Sequence, residues 1–237
     1  MNAHDNSFKE DSISDKSRVV IMESKWVQKL EEKSITKEQL FKKVKQNPDM
    51  IPEVLDGISS EKPAIRYGCG KILTDLSEEQ PERLYPYIDS FITLLDSKYR
   101  ILNWNALTII ANLTKVDREN KFDAIFEKYY RYLNNDYMVT VAIVVGNSGK
   151  IAVAKPHLTK QIVEKLLKVE NISTTPHLTK ECKLVITEHA IKSFDAFFPQ
   201  IEQKSKVIHF VKKYINSSRK TLRIASEEFL KKYGQSV

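Results

Sequence analysis

Apolar residues in this chain recur mainly at steps of three and four positions, the spacing of one face of an α-helix. Residues 64–76 show the pattern clearly, with Ile65, Cys69, Ile72 and Leu76 separated by polar or small residues. Strict alternation of apolar and polar residues, which would indicate a half-buried strand, is not what this segment shows. The pattern predicts an amphipathic helix here, and it recurs along most of the sequence.

The same criterion predicts a series of helices separated by polar breaks. The predicted helices span residues 37–45, 51–58, 64–76, 84–95, 100–113, 120–133, 137–152, 156–169, 177–198, 199–215 and 218–233. A further helix over residues 19–30 is expected to pack on the first pair. Residues 1–18 are expected to form a disordered tail before a single domain of residues 19–237. The chain has only 6 glycines, which also favours helices over turn-rich β folds.

The predicted helices repeat in pairs. Ile88, Ile125 and Ile162 occupy equivalent places in successive second helices and are spaced by 37 residues. Two-helix units of this length are the signature of an α-solenoid, in which each hairpin buries one stripe and needs a neighbour to cover the rest. The sequence therefore predicts an all-α superhelix of about five helical hairpins, closed by a terminal capping helix.

This period and apolar pattern resemble the HEAT/armadillo family over roughly residues 36–234. Units of that family often carry an Arg or Lys early in one helix and a Pro near a helix start. Pro63, Arg66, Arg100 and Arg219 partly fit, whereas the unit that begins at Tyr137 lacks the basic residue. The resemblance implies an architecture and no particular reaction. It also implies that the second helix of each pair lines the concave face.

No motif in the sequence indicates catalysis, a metal or a cofactor. Residues 146–150 read Gly-Asn-Ser-Gly-Lys, but Val144 and Ile151 stand where a phosphate-binding loop needs glycine and a hydroxyl. The small residues are better explained by two helices that approach closely. His157 and His177 lie twenty residues apart, and neither has a second ligand at zinc-site spacing. We therefore expect a non-catalytic protein without a metal or small-molecule cofactor.

Charge is distributed unevenly along the chain. The net charge is +7, while residues 155–237 alone hold 16 Lys and Arg against 8 Asp and Glu. A basic stripe with exposed tyrosines would suit a partner with an acidic surface. The residues predicted to bind a partner are Tyr130, Arg131, Tyr132, Lys165, Lys168, Lys206, Lys212, Lys213, Arg219 and Arg223.

Two main functions remain open from the sequence. The first is a protein-interaction scaffold or adaptor that binds another protein on its concave surface. The second is nucleic-acid binding, with Trp104 available for stacking, because some DNA alkylation-repair glycosylases also use HEAT-like repeats. A lyase-like or chaperone role, as in the bilin-lyase branch of HEAT proteins, fits less well because those repeats are shorter. The polar N-terminus and the absence of a long apolar run predict a cytoplasmic protein without a membrane segment.

Overall fold

A computed structural model describes residues 25–235, and within this range the chain is helical with no strand. The helices are α1 (Lys25–Glu31), α2 (Lys37–Gln46), α3 (Ile51–Gly57), α4 (Pro63–Glu79), α5 (Pro81–Leu84), α6 (Ile88–Leu94), α7 (Arg100–Leu113), α8 (Lys121–Tyr130), α9 (Met138–Ala154), α10 (Thr159–Leu167), α11 (Lys180–Phe197), α12 (Lys204–Lys212) and α13 (Lys220–Tyr233). The all-α prediction is confirmed. The predicted tail and the first part of the predicted helix 19–30 lie outside the described residues.

Local signals explain several helix ends. Thr36 and Gln39 form a reciprocal capping box at the start of α2. Pro63 begins α4, where its missing N–H leaves no helical bond unmade. The predicted helix 199–215 is shorter in the structure, because Pro199 lies in a 3-10 turn and Ile201 has an extended backbone. Similar 3-10 turns shorten the other second helices to about two turns each.

The helices form two layers. The long helices α4, α7, α9, α11 and α13 make one layer, and the short helices α3, α6, α8, α10 and α12 make the other. Neighbouring long helices are parallel: Trp104 bonds Thr140 near the start of α7 and α9, and Asn112 accepts from Lys150 near their ends. Each repeat is therefore a short turn, a short helix and a long helix.

The long helices lie closer together than the short ones. A Cβ placed on Gly149 of α9 would lie 3.2 Å from the carbonyl oxygen of Ser193 in α11, so these two backbones touch. The short helices are bridged instead by long side chains, as between Lys165 and Glu127 and between Lys213 and Glu170. A stack that is tighter on one side bends toward that side.

The long helices therefore line the concave face, and we call them the inner layer. The short helices are called the outer layer. The prediction that the second helices line the concave face is wrong, because the backbone contact between neighbouring repeats is made by Gly149 of α9, which is the first helix of its predicted pair. The interpretation of Gly149 as a residue of close helix approach is confirmed.

Aromatic and aliphatic side chains fill a continuous core between the layers. Its largest members come from α8, where Phe122, Tyr129 and Tyr130 are buried and pack edge-on. The Tyr129 hydroxyl donates to the carbonyl of Leu107 at 3.0 Å, so its polar end is satisfied inside the core. The core thus joins α8 to the inner layer.

One ion pair is buried between the layers. Lys155, at the end of α9, lies 2.9 Å from a carboxylate oxygen of Asp117, and their side chains are 6% and 0% exposed. Asp117 also accepts hydrogen bonds from the backbone N–H groups of Lys121 and Phe122, at the start of α8. Burial would raise the pKa of Asp117, but hydrogen bonds from Tyr85 and Lys155 and from the α8 backbone lower it. The pair ties the end of one inner helix to the start of an outer helix.

We expect Asp117→Ala to lower the free energy of unfolding by ~3 kcal/mol, because it removes the nearer of two carboxylates beside a buried ammonium and leaves two backbone N–H groups at the start of α8 without their acceptor. Glu127→Ala is the matched control, since it breaks the ion pair with Lys165 at a side chain that is 74% exposed. That change should cost no more than ~1 kcal/mol. Urea unfolding followed by circular dichroism measures both. Equal losses in the two variants would contradict the structural role assigned to Asp117.

A pair of glycine substitutions tests the close approach of α9 and α11. Gly149→Ala should destabilise the fold by ~1–3 kcal/mol, because the added methyl meets the fixed backbone of Ser193. Gly146→Ala faces only the movable ring of His189 and should stabilise by up to ~1 kcal/mol through helix propensity. The opposite signs, measured by urea unfolding, are the expected result. Stabilisation by both changes would show that the helices are not in backbone contact.

Candidate interaction surface

Helix α9 carries an apolar stripe on its solvent side. Its only charged residue is Lys150, which lies on this face between Gly146 and Val153, and the apolar and glycine residues of the face are spaced at helical intervals. We call these residues the α9 ridge: Val139, Ala142, Ile143, Gly146 and Val153. Val139 and Val153 are 40% and 50% exposed. The ridge is therefore an apolar strip in the middle of the inner layer.

The exposed large apolar side chains concentrate on the same layer. Among residues 25–235 there are five, and four of them lie on inner helices: Ile101, Val139, Val153 and Ile224. Ile215, which follows α12, is the exception. Apolar residues that are exposed singly are normal, whereas a contiguous apolar patch is a feature of interaction sites.

Neighbouring helices extend the ridge without adding free charge. On the α7 side, Trp104 is half-buried and donates its indole N–H to Thr140 at 2.9 Å. On the α11 side, His189 lies against Gly146. Burial, followed by the nearby charge of Lys192, lowers the pKa of His189 and so favours the uncharged ring. Lys150 donates to Asn112 at 2.9 Å, which directs its ammonium toward α7.

Stacked cations and rings border the ridge where the inner helices begin. The guanidinium of Arg66 lies 3.7 Å from the ring centre of Tyr99, and that of Arg100 lies 3.5 Å from the ring centre of Tyr137. The Tyr137 ring also stacks on His177 with 4.4 Å between centres. These contacts join consecutive repeats, and they place Arg100 beside the start of α9.

The tyrosines predicted to bind a partner have structural roles. Tyr130 is 2% exposed and donates to the hydroxyl of Ser148, so the prediction that it serves as a surface anchor is wrong. The reason is that α8 is covered on one side by α9, which the sequence could not specify. Tyr132 is half-buried and bonds the carbonyl of Leu95, while Arg131 pairs with Asp96 and stays exposed.

Most of the predicted basic residues already have partners. Lys165 lies 2.7 Å from Glu127, Lys213 lies 2.9 Å from Glu170, and Arg223 donates to the carbonyl of Ser217 at 3.1 Å. Within the described chain, the exposed predicted residues outside any ion pair are Lys168, Lys206 and Lys212, all in the outer layer. Their binding to a partner stays a prediction.

Arg219 belongs to a polar cluster between α11 and α13. Its guanidinium lies 3.0 Å from the carboxylate of Glu188, which also accepts from Lys192 and Thr221. Burial alone would raise the pKa of Glu188. Hydrogen bonds from Lys192, Thr221 and Arg219 outweigh it and lower the pKa to about 2. The cluster holds the last inner helix against α11.

Comparisons with known proteins agree with this geometry. No protein-family model matches the chain, and no curated protein matches it. Among solved structures, the chain is similar to a designed armadillo repeat protein, with a TM-score of 0.58 and 15% identity over 88% of this chain and 90% of that one. It is also similar to an engineered protein, with a TM-score of 0.53 and 13% identity over 88% and 95% of the two chains.

The chain has an armadillo/HEAT-like helical repeat architecture. At these identities the likeness shows the fold and carries no ligand or activity with it. Within residues 25–235, no group of three or more His, Cys, Asp and Glu side chains is arranged to hold a metal ion. In the same range, no helix combines the length and apolarity that crossing a bilayer requires.

The sequence analysis missed the α9 ridge, although a signal for it was present. Residues 138–149 contain no charged residue, whereas a helix of a two-layer stack usually keeps a polar stripe for solvent. The sequence analysis explained the small residues of this segment by close helix approach and did not consider an exposed apolar stripe. The distinction between a fully buried helix and one with an exposed apolar stripe depends on how many neighbours cover it.

The Glu188 cluster predicts a specific acid sensitivity. The folded-state pKa of Glu188 lies below its ordinary value, so its stabilising effect is present above about pH 4.5 and is lost as pH falls toward 2. Glu188→Gln should lower the free energy of unfolding at pH 7 by on the order of 2 kcal/mol, and this difference should shrink as the pH falls. Glu181→Gln, at a side chain 62% exposed, is the control and should change little. A difference that is constant from pH 7 to pH 2.5 would contradict the assignment.

Proposed function

We propose that this protein is a non-catalytic interaction scaffold that binds another protein on its inner layer, with the α9 ridge at the centre of the site. The observation that carries the proposal is the concentration of exposed large apolar side chains on the inner helices. Covering such side chains with a partner removes apolar surface from water, which is the main source of free energy in protein association.

The rigidity of the inner layer supports this site. Because the backbones of α9 and α11 touch near Gly149, the ridge residues are held on closely packed helices. A surface that keeps its shape before binding loses little conformational entropy when a partner arrives. The half-buried Trp104, fixed by Thr140, adds a rigid aromatic side chain of the kind that dominates binding energy at interfaces.

The charge arrangement favours a protein partner over a nucleic acid. Phosphate binding depends on cations that are free to replace counterions. Arg131, Lys165, Lys213 and Arg219 are each paired with a carboxylate, and Lys150, which lies on the same face of α9 as the ridge, bonds Asn112 and pairs with Glu78. Because these cations are already engaged by other groups of the chain, they count against the nucleic-acid alternative and in favour of an apolar contact.

A capture experiment tests the proposal. The full chain, immobilised, is incubated with cell extract at moderate salt in three forms: wild type, Val139→Glu/Val153→Glu and Ile215→Glu. All three changed residues are exposed, so the folds should remain intact by circular dichroism. Wild type and Ile215→Glu should recover the same defined protein partner, and the double variant should lose it.

Recovery of that partner by the double variant would overturn the proposed site. Recovery of nuclease-sensitive material, lost as salt is raised, would favour nucleic-acid binding instead.

A further inference from the structure

Arg100 has no oxygen partner within the described chain. Five other arginines donate to a carbonyl or carboxylate oxygen: Arg66, Arg83, Arg131, Arg219 and Arg223. Within residues 25–235, Arg118 is the only other arginine without one, and it is exposed and lies on no ring. The guanidinium of Arg100 lies 3.5 Å from the ring centre of Tyr137, with no hydrogen bond or ion pair in the same range. Its five N–H donors are therefore open to a ligand.

The equivalent arginines of other repeats show what Arg100 lacks. Arg66 lies 3.7 Å from the ring centre of Tyr99, an arrangement like that of Arg100. Unlike Arg100, Arg66 also donates to the carbonyls five and six positions before it. Arg223 donates to the carbonyl six positions before it. In these two repeats the guanidinium is thus held by the loop that precedes its own helix.

The loop before α7 is closed to Arg100 by two other side chains. The carbonyl five positions before Arg100 belongs to Leu95. It accepts hydrogen bonds from Nδ2 of Asn103 and from the hydroxyl of Tyr132. A carbonyl oxygen has two acceptor lone pairs, so these two donors fill it. The oxygen that Arg66 uses in its own repeat is therefore taken in this one.

The ring of Tyr137 is fixed from both sides. The imidazole of His177 stacks on it with 4.4 Å between ring centres and 13° between planes. The guanidinium of Arg100 lies even nearer to the same ring centre, so the two groups are on opposite faces of the ring. The backbone N–H of Met138 donates to the carbonyl of His177 at 3.3 Å, which ties the two segments together. A guanidinium held flat on a fixed ring loses little rotational freedom when it binds a ligand.

Arg100 and Tyr137 belong to a polar cleft at the edge of the inner layer. We call it the Arg100 cleft; it has a volume of about 340 Å³, and its lining includes Asp96, Lys98, Arg100, Asn135, Tyr137 and Thr140. Lys98 is a second cation without an ion pair in the described chain. Asp96 already pairs with two cations from α8 and the turn that follows it, so it does not neutralise Arg100.

The Arg100 cleft adjoins the α9 ridge. Tyr137 directly precedes α9, and Val139 is the first residue of the ridge. Thr140 lines the cleft and accepts from the indole of Trp104, which flanks the ridge. A partner that covers Val139 can therefore place a side chain in the cleft.

The donors of the cleft fit a carboxylate. A guanidinium presents two parallel N–H groups that match the two oxygens of a carboxylate. A phosphorylated side chain has similar oxygens but about twice the charge, and clusters of arginines bind it. The cleft has one stacked guanidinium, and Asp96 in its lining and Asp136 before Tyr137 carry negative charge. Like charges oppose a dianion more strongly than a monoanion.

We infer that the Arg100 cleft binds a carboxylate side chain of the protein partner, with the guanidinium of Arg100 donating to both carboxylate oxygens and Lys98 adding attraction. This inference rests on the proposed scaffold function and adds a polar contact that orients the partner at one end of the α9 ridge. Tyr137 and His177 are positioning residues, because they hold the guanidinium without touching the carboxylate.

An acetate titration followed by NMR tests the cleft without the partner. The Nε–Hε signals of the arginines are recorded on the full chain while sodium acetate replaces sodium chloride at constant ionic strength. Arg118 is the matched control, since it has neither a ring nor an oxygen partner in the described chain, and Arg100→Lys and Arg118→Lys identify the two signals. The apparent dissociation constant for acetate should be at least threefold lower at Arg100, because only Arg100 is held in place. Equal constants would overturn the inference.

Removal of the ring tests whether stacking prepares the guanidinium. Tyr137→Leu keeps Arg100 and should make its acetate binding nearly equal to that of Arg118. If circular dichroism shows that this variant does not fold, His177→Ala removes an exposed imidazole instead and should reduce the difference in the same direction. A difference that persists unchanged in the folded variant would contradict the positioning role of the ring.

Capture from cell extract tests the contact with the partner. Arg100→Gln should lower recovery of the ridge-dependent protein partner at least threefold, and Arg118→Gln should leave it unchanged. Treatment of the extract with phosphatase should not alter recovery by the wild type. Loss of the partner after that treatment would mean that a phosphorylated side chain occupies the cleft, which overturns the carboxylate assignment.

Failure of the inference can be told from failure of the proposed function. If Val139→Glu/Val153→Glu loses the partner while Arg100→Gln retains it, the scaffold proposal stands and the carboxylate contact falls. If neither variant loses the partner, both proposals fall.

Discussion

The close approach of α9 to α11 sets the geometry of the whole stack. It is favoured by glycine at position 149, because a Cβ there would lie only 3.2 Å from the carbonyl oxygen of Ser193 in α11, so the helices would have to move slightly apart. The hydroxyl of Ser193 then reaches the carbonyl of Val145 at 2.6 Å, which satisfies a polar group inside a tight helix interface. Close packing here puts the long helices on the inside of the curve.

Polar interactions between repeats follow the same division into layers. In the outer layer the helices are farther apart, and acidic residues of one repeat meet lysines or arginines of the next, as Asp96 does with Lys128 and Arg131. In the inner layer short side chains and stacked rings perform this joining. Exposed ion pairs contribute little each, so the outer layer relies on the shared core for its stability.

Much of the fold was accessible from the sequence because it depends on local periodicity. The prediction of a helix over residues 100–113 agrees with α7, and the end of the last helix at Tyr233 was also correct. The predicted boundaries of the outer helices were wrong, because 3-10 turns containing Tyr85 or Phe198 interrupt the apolar periodicity and shorten those helices. The all-α class and the stacking of repeats did not depend on those details.

The candidate surface was less accessible, since it depends on which layer is tighter and which side of each helix is covered. Tyr130 and Val153 illustrate the difficulty. Tyr130 was expected at the surface and is buried against Ser148, whereas Val153, just beyond the predicted helix 137–152, is half exposed. Burial of Tyr130 is decided by a neighbour eighteen positions away, and no local pattern records it.

The unequal spacing of the two layers has a mechanical consequence. Touching backbones resist compression, so the spacing between neighbouring inner helices is nearly fixed. The outer helices are linked by lysine and arginine side chains with several rotatable bonds, which can lengthen or shorten their reach with little loss of energy. Flexing of the superhelix should therefore change the distances between neighbouring outer helices, while the distances between neighbouring inner helices stay nearly constant.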